Sequence, residues 1–165
     1  MVAVAPNPPA GSWDGLESSA EFFQRDASAE RLAAHQRNLT TRRVPTSIET
    51  SQDFVDAYVV GDAKGWYDYD FDCSELWHDV EVNVAVIDHI GQSGMFGGYQ
   101  LEALDVPVFL ALGRYDYRTP YYNWDEPCKR LANLSYTLYD KSGHHPPYEQ
   151  PAEFTADVTE WARTL

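Results

Sequence analysis

Apolar residues fall into two unbroken runs near the start and in the last third of the chain, and in between they recur at helical intervals. The first run, "VAVAP" over residues 2–6, ends in "NPPAGSWDG", so it reads as a buried strand emptying into a Pro- and Gly-rich loop. A fully apolar strand belongs inside a parallel sheet, covered on both faces, so something should flank it. The second run, "VPVFLALG" over 106–113, is another such strand, and "SYTLYD" over 135–140 reads as a third.

The middle is helical. Ser28 can cap "AERLAAHQRNL", and Thr46 with Glu49 forms a T-x-x-E capping box opening a helix whose Phe54, Val55, Tyr58 and Val59 share a face. "GWYDYDFDCSELW" is an aromatic, acidic connector, and "VNVAVIDHI" is expected to be helical through Val86, Ile87 and Ile90. After the second strand, Trp124, Cys128 and Leu131 are spaced i, i+4, i+7. The last segment places Phe154, Val158, Trp161, Ala162 and Leu165 on one stripe, with Pro151 in the first turn. Strand, helix, strand, helix predicts parallel α/β layers, with both strand C-terminal ends on one edge of the sheet.

Composition narrows the function classes. Twelve Lys and Arg against 26 Asp and Glu leave a formal charge of −14, which would repel nucleic acid and anionic membranes. Five Trp and eleven Tyr are too many for a disordered acidic segment. The first basic residue is Arg25, so no signal-peptide n-region is expected, and no apolar run approaches the roughly 20 residues of a membrane span. Cys73 and Cys128 have no metal-ligand spacing and read as reduced thiols of a cytoplasmic protein. No cofactor or metal is expected.

Chemistry in open α/β sheets sits beyond the carboxyl ends of the strands. "GRYDYRTP" brings Asp116 to the first such end, and "KSGHHPPYEQP" brings His144 to the second. A carboxylate that fixes an imidazole tautomer is the orienting half of a catalytic triad; a turn-capping Asp and a loop His are the bland alternative. Together, Gly113 to Asp116, Ser142 to His144 and Glu149 to Pro151 resemble the C-terminal third of the α/β-hydrolase superfamily. "YVVGDAKGWYDYDFDCSELW" and "GRYDYRTPYYNWDE" are similar to proline iminopeptidases and related aminopeptidase-like hydrolases.

The resemblance implies the C-terminal part of an α/β-hydrolase fold, with about three parallel core strands and flanking helices, plus a helical cap. Residues 1–15 would be a core strand and the loop into the cap, 16–98 the cap, and 99–165 the C-terminal core. It implies His144 as general base and acid and Asp116 as its orienter, with Trp66 and Asp68 as substrate-binding residues. The earlier strands, the oxyanion loop and the Gly-x-Ser-x-Gly elbow would lie outside these residues.

The chain's own serine motif fails. In "DHIGQSGMFGGYQ", Gly91 and Ser93 fit a nucleophile elbow, but Met95 stands where the second glycine is required. Ser93 is therefore expected at a helix C-cap with Gly94, in a loop returning from the cap. Asp68, Asp70, Asp72 and Asp79 occupy calcium-loop positions, but Cys73 replaces the glycine and no terminal Glu follows, so a solvated or substrate-facing acidic loop is expected. His145 is expected to pack on Pro146 and Pro147.

The function that follows is hydrolysis of a peptide or amide bond, with release of an N-terminal residue favoured and esterase activity as the nearest rival. The substrate would be a peptide or small amide or ester. The other partner would be the N-terminal half of the hydrolase or a second copy of the chain. An inactive remnant or interaction module with the same fold stays open as the alternative.

Overall fold

The computed structural model describes residues 1–7, 18–93, 105–130 and 133–165. Three strands, β1 (Val2–Val4), β2 (Val108–Gly113) and β3 (Leu134–Tyr139), form a parallel sheet in the order β1-β2-β3. Every residue of β2 is buried, and its alternation divides the core in two. Leu110 and Leu112 pack with Trp124 on one face, while Phe109 and Ala111 pack with Tyr139, Phe154, Val158 and Trp161 on the other.

The second face is supplied by α8 (Pro151–Arg163), which opens with Pro151 in its first turn as its sequence suggests. Its apolar stripe is shorter than expected: Ala162 and Leu165 are exposed, because the helix ends at Arg163 and has passed the edge of the sheet's buried residues. The first face receives a 3-10 turn (Tyr121–Trp124) running into α6 (Asp125–Arg130), where Trp124 and Cys128 point to the core. Leu131 lies outside the described residues.

β1 departs from the reading of a fully buried strand. Val2 is 41% and Val4 37% exposed, because among the described residues β1 pairs only with β2 and stands at the sheet edge.

Between β1 and β2 the described chain is helical: α1 (Ser19–Asp26), α2 (Ala29–Thr41), α3 (Ser51–Val60), α4 (Asp62–Gly65), a 3-10 turn (Ser74–Trp77) and α5 (Val84–Ser93). Ser28 caps α2 as expected. α3 starts one turn later than the Thr46–Glu49 box would place it, because Thr50 and Asp53 form the capping box instead. Asp53 accepts from the Thr50 amide while Thr50 Oγ1 accepts from the Asp53 amide. Arg43 then pairs with Asp53 and Asp56, holding the Asp53 carboxyl well below its ordinary range.

Val55 and Val59 on α3 bury against Trp66 and Cys73, so the aromatic connector folds back on the helix that precedes it. Arg31, 3% exposed, fixes that return: Nη1 donates to the carbonyls of Ala63 and Trp66 and Nη2 to that of Tyr67, each at 2.7 Å. Phe22 and Phe23 of α1 pack on Tyr117, which ties the helical segment to the loop after β2. The expected segment boundaries near residues 15 and 98 lie outside the described residues.

Candidate active site

The parallel register sets Gly113 of β2 beside Tyr139 of β3, so the loops leaving both strands start from the same edge. A side chain on Gly113 would strike the backbone of Ser142 and Gly143, so glycine there lets the two loops close together. Asp116 and His144 meet across this junction: His144 Nδ1 donates to Asp116 Oδ2 at 2.8 Å.

Asp116 is 1% exposed, and each of its oxygens is engaged. Oδ1 accepts from the amides of Arg118 at 2.8 Å and Thr119 at 2.9 Å, an Asx-type turn that folds the loop around its own carboxylate. Oδ2 accepts from His144 and also lies 2.7 Å from Thr119 Oγ1. That hydroxyl is 3.0 Å from the carbonyl of Ala5, a buried residue with φ 42° at the end of β1. A non-glycine residue in the left-handed region is strained, and here the strain falls where the first strand reaches the site.

His144 is held at both ends. Its amide donates to the carbonyl of Gly65 at 2.6 Å, and Nδ1 is committed to Asp116. Since a carboxylate accepts, the proton of that bond belongs to Nδ1, and Nε2 keeps its lone pair. Nε2 has no hydrogen-bond partner among the described residues, and the side chain is 25% exposed. A neutral imidazole with a free Nε2 can take a proton from a hydroxyl, and a buried carboxylate can stabilise the imidazolium that results.

Glu149, which the sequence marks only as part of a helix start, turns out to brace the loop. Oε1 accepts from the Tyr67 amide at 2.6 Å and Oε2 from the Gly143 amide at 2.8 Å, while burial pushes its carboxyl up. The adjacent Gln150 Oε1 accepts from the Lys141 amide at 2.7 Å.

His145 has partners beyond the prolines that follow it in sequence. Its ring lies on Trp66, centroids 4.2 Å apart, and its Nε2 is 3.0 Å from the Tyr58 hydroxyl. The partners come from α3 and the connector, because the backbone bond from His144 to Gly65 draws the two segments together. Burial, and then the neighbouring His144, bring the His145 imidazole down to about 4.

Of the two residues expected to bind substrate, Trp66 reaches this junction through His145, but Asp68 does not. Asp68 lines a separate recess with Arg31, Arg114, Tyr115 and Tyr117, and it accepts from the Asp70 amide. The neighbouring carboxylates have basic partners: Asp70 pairs with Arg37 and Asp72 with Arg42. Among the described residues no three His, Cys, Asp or Glu side chains group as metal ligands. Cys73 is fully buried with Sγ 2.9 Å from Asp62 Oδ1, and burial pushes its thiol up to about 12. Among the described residues no helix is long and apolar enough to cross a membrane.

Ser93 closes α5, so a helix leads into it where an elbow requires a strand. Gly94 and the residues up to 104, where the C-cap and returning loop are expected, lie outside the described residues.

No family model matches the chain. Over 164 residues it is 28% identical to AB hydrolase superfamily protein YclE of Bacillus subtilis (strain 168), which covers 97% of this chain and 58% of that protein. The chain thus spans less than two thirds of the length of the curated relative it matches. An alpha/beta fold family hydrolase from Bacillus anthracis str. Sterne superposes with a TM-score of 0.59 at 14% identity, covering 96% of this chain and 56% of the other. A thermophilic esterase superposes with a TM-score of 0.51 at 14% identity, over 74% of this chain and 53% of its own. The chain thus has an α/β-hydrolase-like fold, three parallel strands with flanking helices, and is similar in sequence to a protein of the AB hydrolase superfamily.

Proposed function

We propose that the chain is the Asp- and His-bearing portion of a serine-type acyl hydrolase, and that the serine and the oxyanion donors come from outside the described residues. The observation that carries this reading is the 2.8 Å bond from His144 Nδ1 to a buried Asp116, with Nε2 left free. In the reaction, Nε2 takes the proton of a serine hydroxyl as its oxygen attacks the substrate carbonyl. The same nitrogen then returns the proton to the leaving group, and water releases the acyl group by the same steps. Asp116 orients the ring and balances the imidazolium that forms.

Between an ester and an N-terminal peptide bond, the geometry favours the ester. An aminopeptidase needs an unoccupied carboxylate near the imidazole for the free α-amine. Among the described residues, Glu149 accepts two backbone amides, Asp70 and Asp72 pair with arginines, and Asp68 lines another recess. The aminopeptidase reading, which the sequence resemblance implies, is tested in the same assay.

The experiment is complementation. The chain is joined to the N-terminal part of the Bacillus subtilis relative, and hydrolysis of p-nitrophenyl esters and aminoacyl p-nitroanilides is followed. Ester turnover that falls about 10³-fold or more in His144→Ala supports the proposal. Turnover unaffected by His144→Ala contradicts it, and preference for the anilides transfers the reading to the aminopeptidase. The unjoined chain is expected to resist labelling by a serine-directed fluorophosphonate, and stoichiometric labelling lost in Ser93→Ala contradicts the assignment of the serine.

A further inference from the structure

Beside the Asp116–His144 pair, α3, the connector and the loop after β3 enclose a recess of about 270 Å³. Its walls are the rings of Tyr58, Trp66, Trp77 and Tyr148, the imidazole of His145, and aliphatic side chains including Leu76 at the rim. None of its lining residues is Asp, Glu, Lys or Arg. The His145 ring, which forms one wall, has its centroid 5.2 Å from that of His144, so a group seated here is one ring away from the His144 imidazole.

Three of the polar atoms on these walls are already engaged. Trp66 Nε1 donates to the buried Asp62 at 3.2 Å, and the Tyr58 hydroxyl and His145 Nε2 are bonded to each other. What faces the recess is therefore π surface: Trp66 against His145, Tyr148 edge-on to Trp66 at 5.4 Å, and Tyr58 against Trp77 at 5.0 Å. A negatively charged ligand would find no Lys or Arg among the lining residues to replace its hydration. A positively charged one would find no carboxylate among the lining residues to replace its hydration, and the Tyr58 ring is already stacked under the Arg118 guanidinium at 4.0 Å. An uncharged ring gains edge and face contacts without either penalty.

We propose that this recess is a specificity site for a neutral aromatic group of the substrate, one ring in size, carried by the ester or amide that His144 acts on. The proposal rests on the hydrolase reading for its biological use, but the binding it describes requires no turnover.

Three ligands with the same ring separate the possibilities: N-acetyl-phenylalaninamide (neutral), N-acetyl-phenylalaninate (anionic) and phenylalaninamide (cationic). Each is titrated into the 165-residue chain and followed by the indole N–H resonances. The neutral ligand is expected to bind at least tenfold more tightly than either charged one, shifting the Trp66 and Trp77 signals and leaving Trp124 and Trp161 in place. Leu76→Trp, at a position 44% exposed, should fill the recess and weaken binding at least tenfold without disturbing the core. Tyr148→Ala, at a position 55% exposed, is the second variant and should weaken it several-fold. Equal or tighter binding of a charged ligand overturns the proposal, as do shifts centred on Trp124 or Trp161, or no saturable binding. Because binding is read without catalysis, these results stand apart from those of the complementation assay.

Discussion

The amide of His144 donates to the carbonyl of Gly65 across 2.6 Å, and through that bond the loop after β3 is fastened to the end of α4. The contact is backbone to backbone, and the residue between them in space, Gly143, leaves no room for a side chain. A Cβ there would stand 2.9 Å from the Trp66 amide and closer still to the Gly65 carbonyl.

Gly143→Ala is therefore expected to force the two backbones apart, destabilising the chain by about 1–3 kcal/mol as overpacking does. Urea unfolding followed by Trp fluorescence measures it. An unchanged midpoint would mean that the loop and α4 are not in register as described.

What could be read from sequence and what could not divides along contact distance. The strands at 108–113 and 134–139 declare themselves by apolar content, and Asp116 and His144 by their place just beyond those strands. Both follow from local pattern plus the rule that parallel strands open their chemistry at one edge. The Tyr58–His145 bond spans 87 residues, and Arg31 reaches carbonyls 32 to 36 residues away, so no local spacing encodes either. The sequence pattern Thr46–Glu49 suggests a cap one turn too early; the box forms at Thr50–Asp53, where Arg43 pairs with Asp53 and Asp56, a tertiary contact that local spacing does not encode. Trp66 and Asp68 part company because the chain turns at the end of α4, sending neighbours two apart into different recesses.

Burial of His145 predicts a pH signature. Its folded value, about 4, lies below the ordinary 6.5, so between these values the unfolded chain binds the extra proton. Its contribution to stability is fully present above about pH 6.5 and is lost as pH falls towards 4. Unfolding midpoints should drop across that window, and His145→Gln should flatten the drop. A wild-type profile no steeper than that of the variant contradicts the buried neutral imidazole.

The exposed edge of β1, with Val2 and Val4 open, is a template for another strand. In sedimentation velocity the 165-residue chain should self-associate in a concentration-dependent way, and the N-terminal part of a related hydrolase should suppress this. A monodisperse monomer at all concentrations would contradict an unsatisfied edge.

The central claim is that Asp116 holds His144 with its proton on Nδ1 and its Nε2 free to act as a base. The ¹⁵N and ¹H resonances of the His144 ring test it without any substrate. The account predicts a far-downfield proton on Nδ1, an imine-type signal from Nε2 at neutral pH, and loss of the downfield proton in Asp116→Asn. A proton found on Nε2 in the wild-type chain, or a downfield signal that survives Asp116→Asn unchanged, would contradict it.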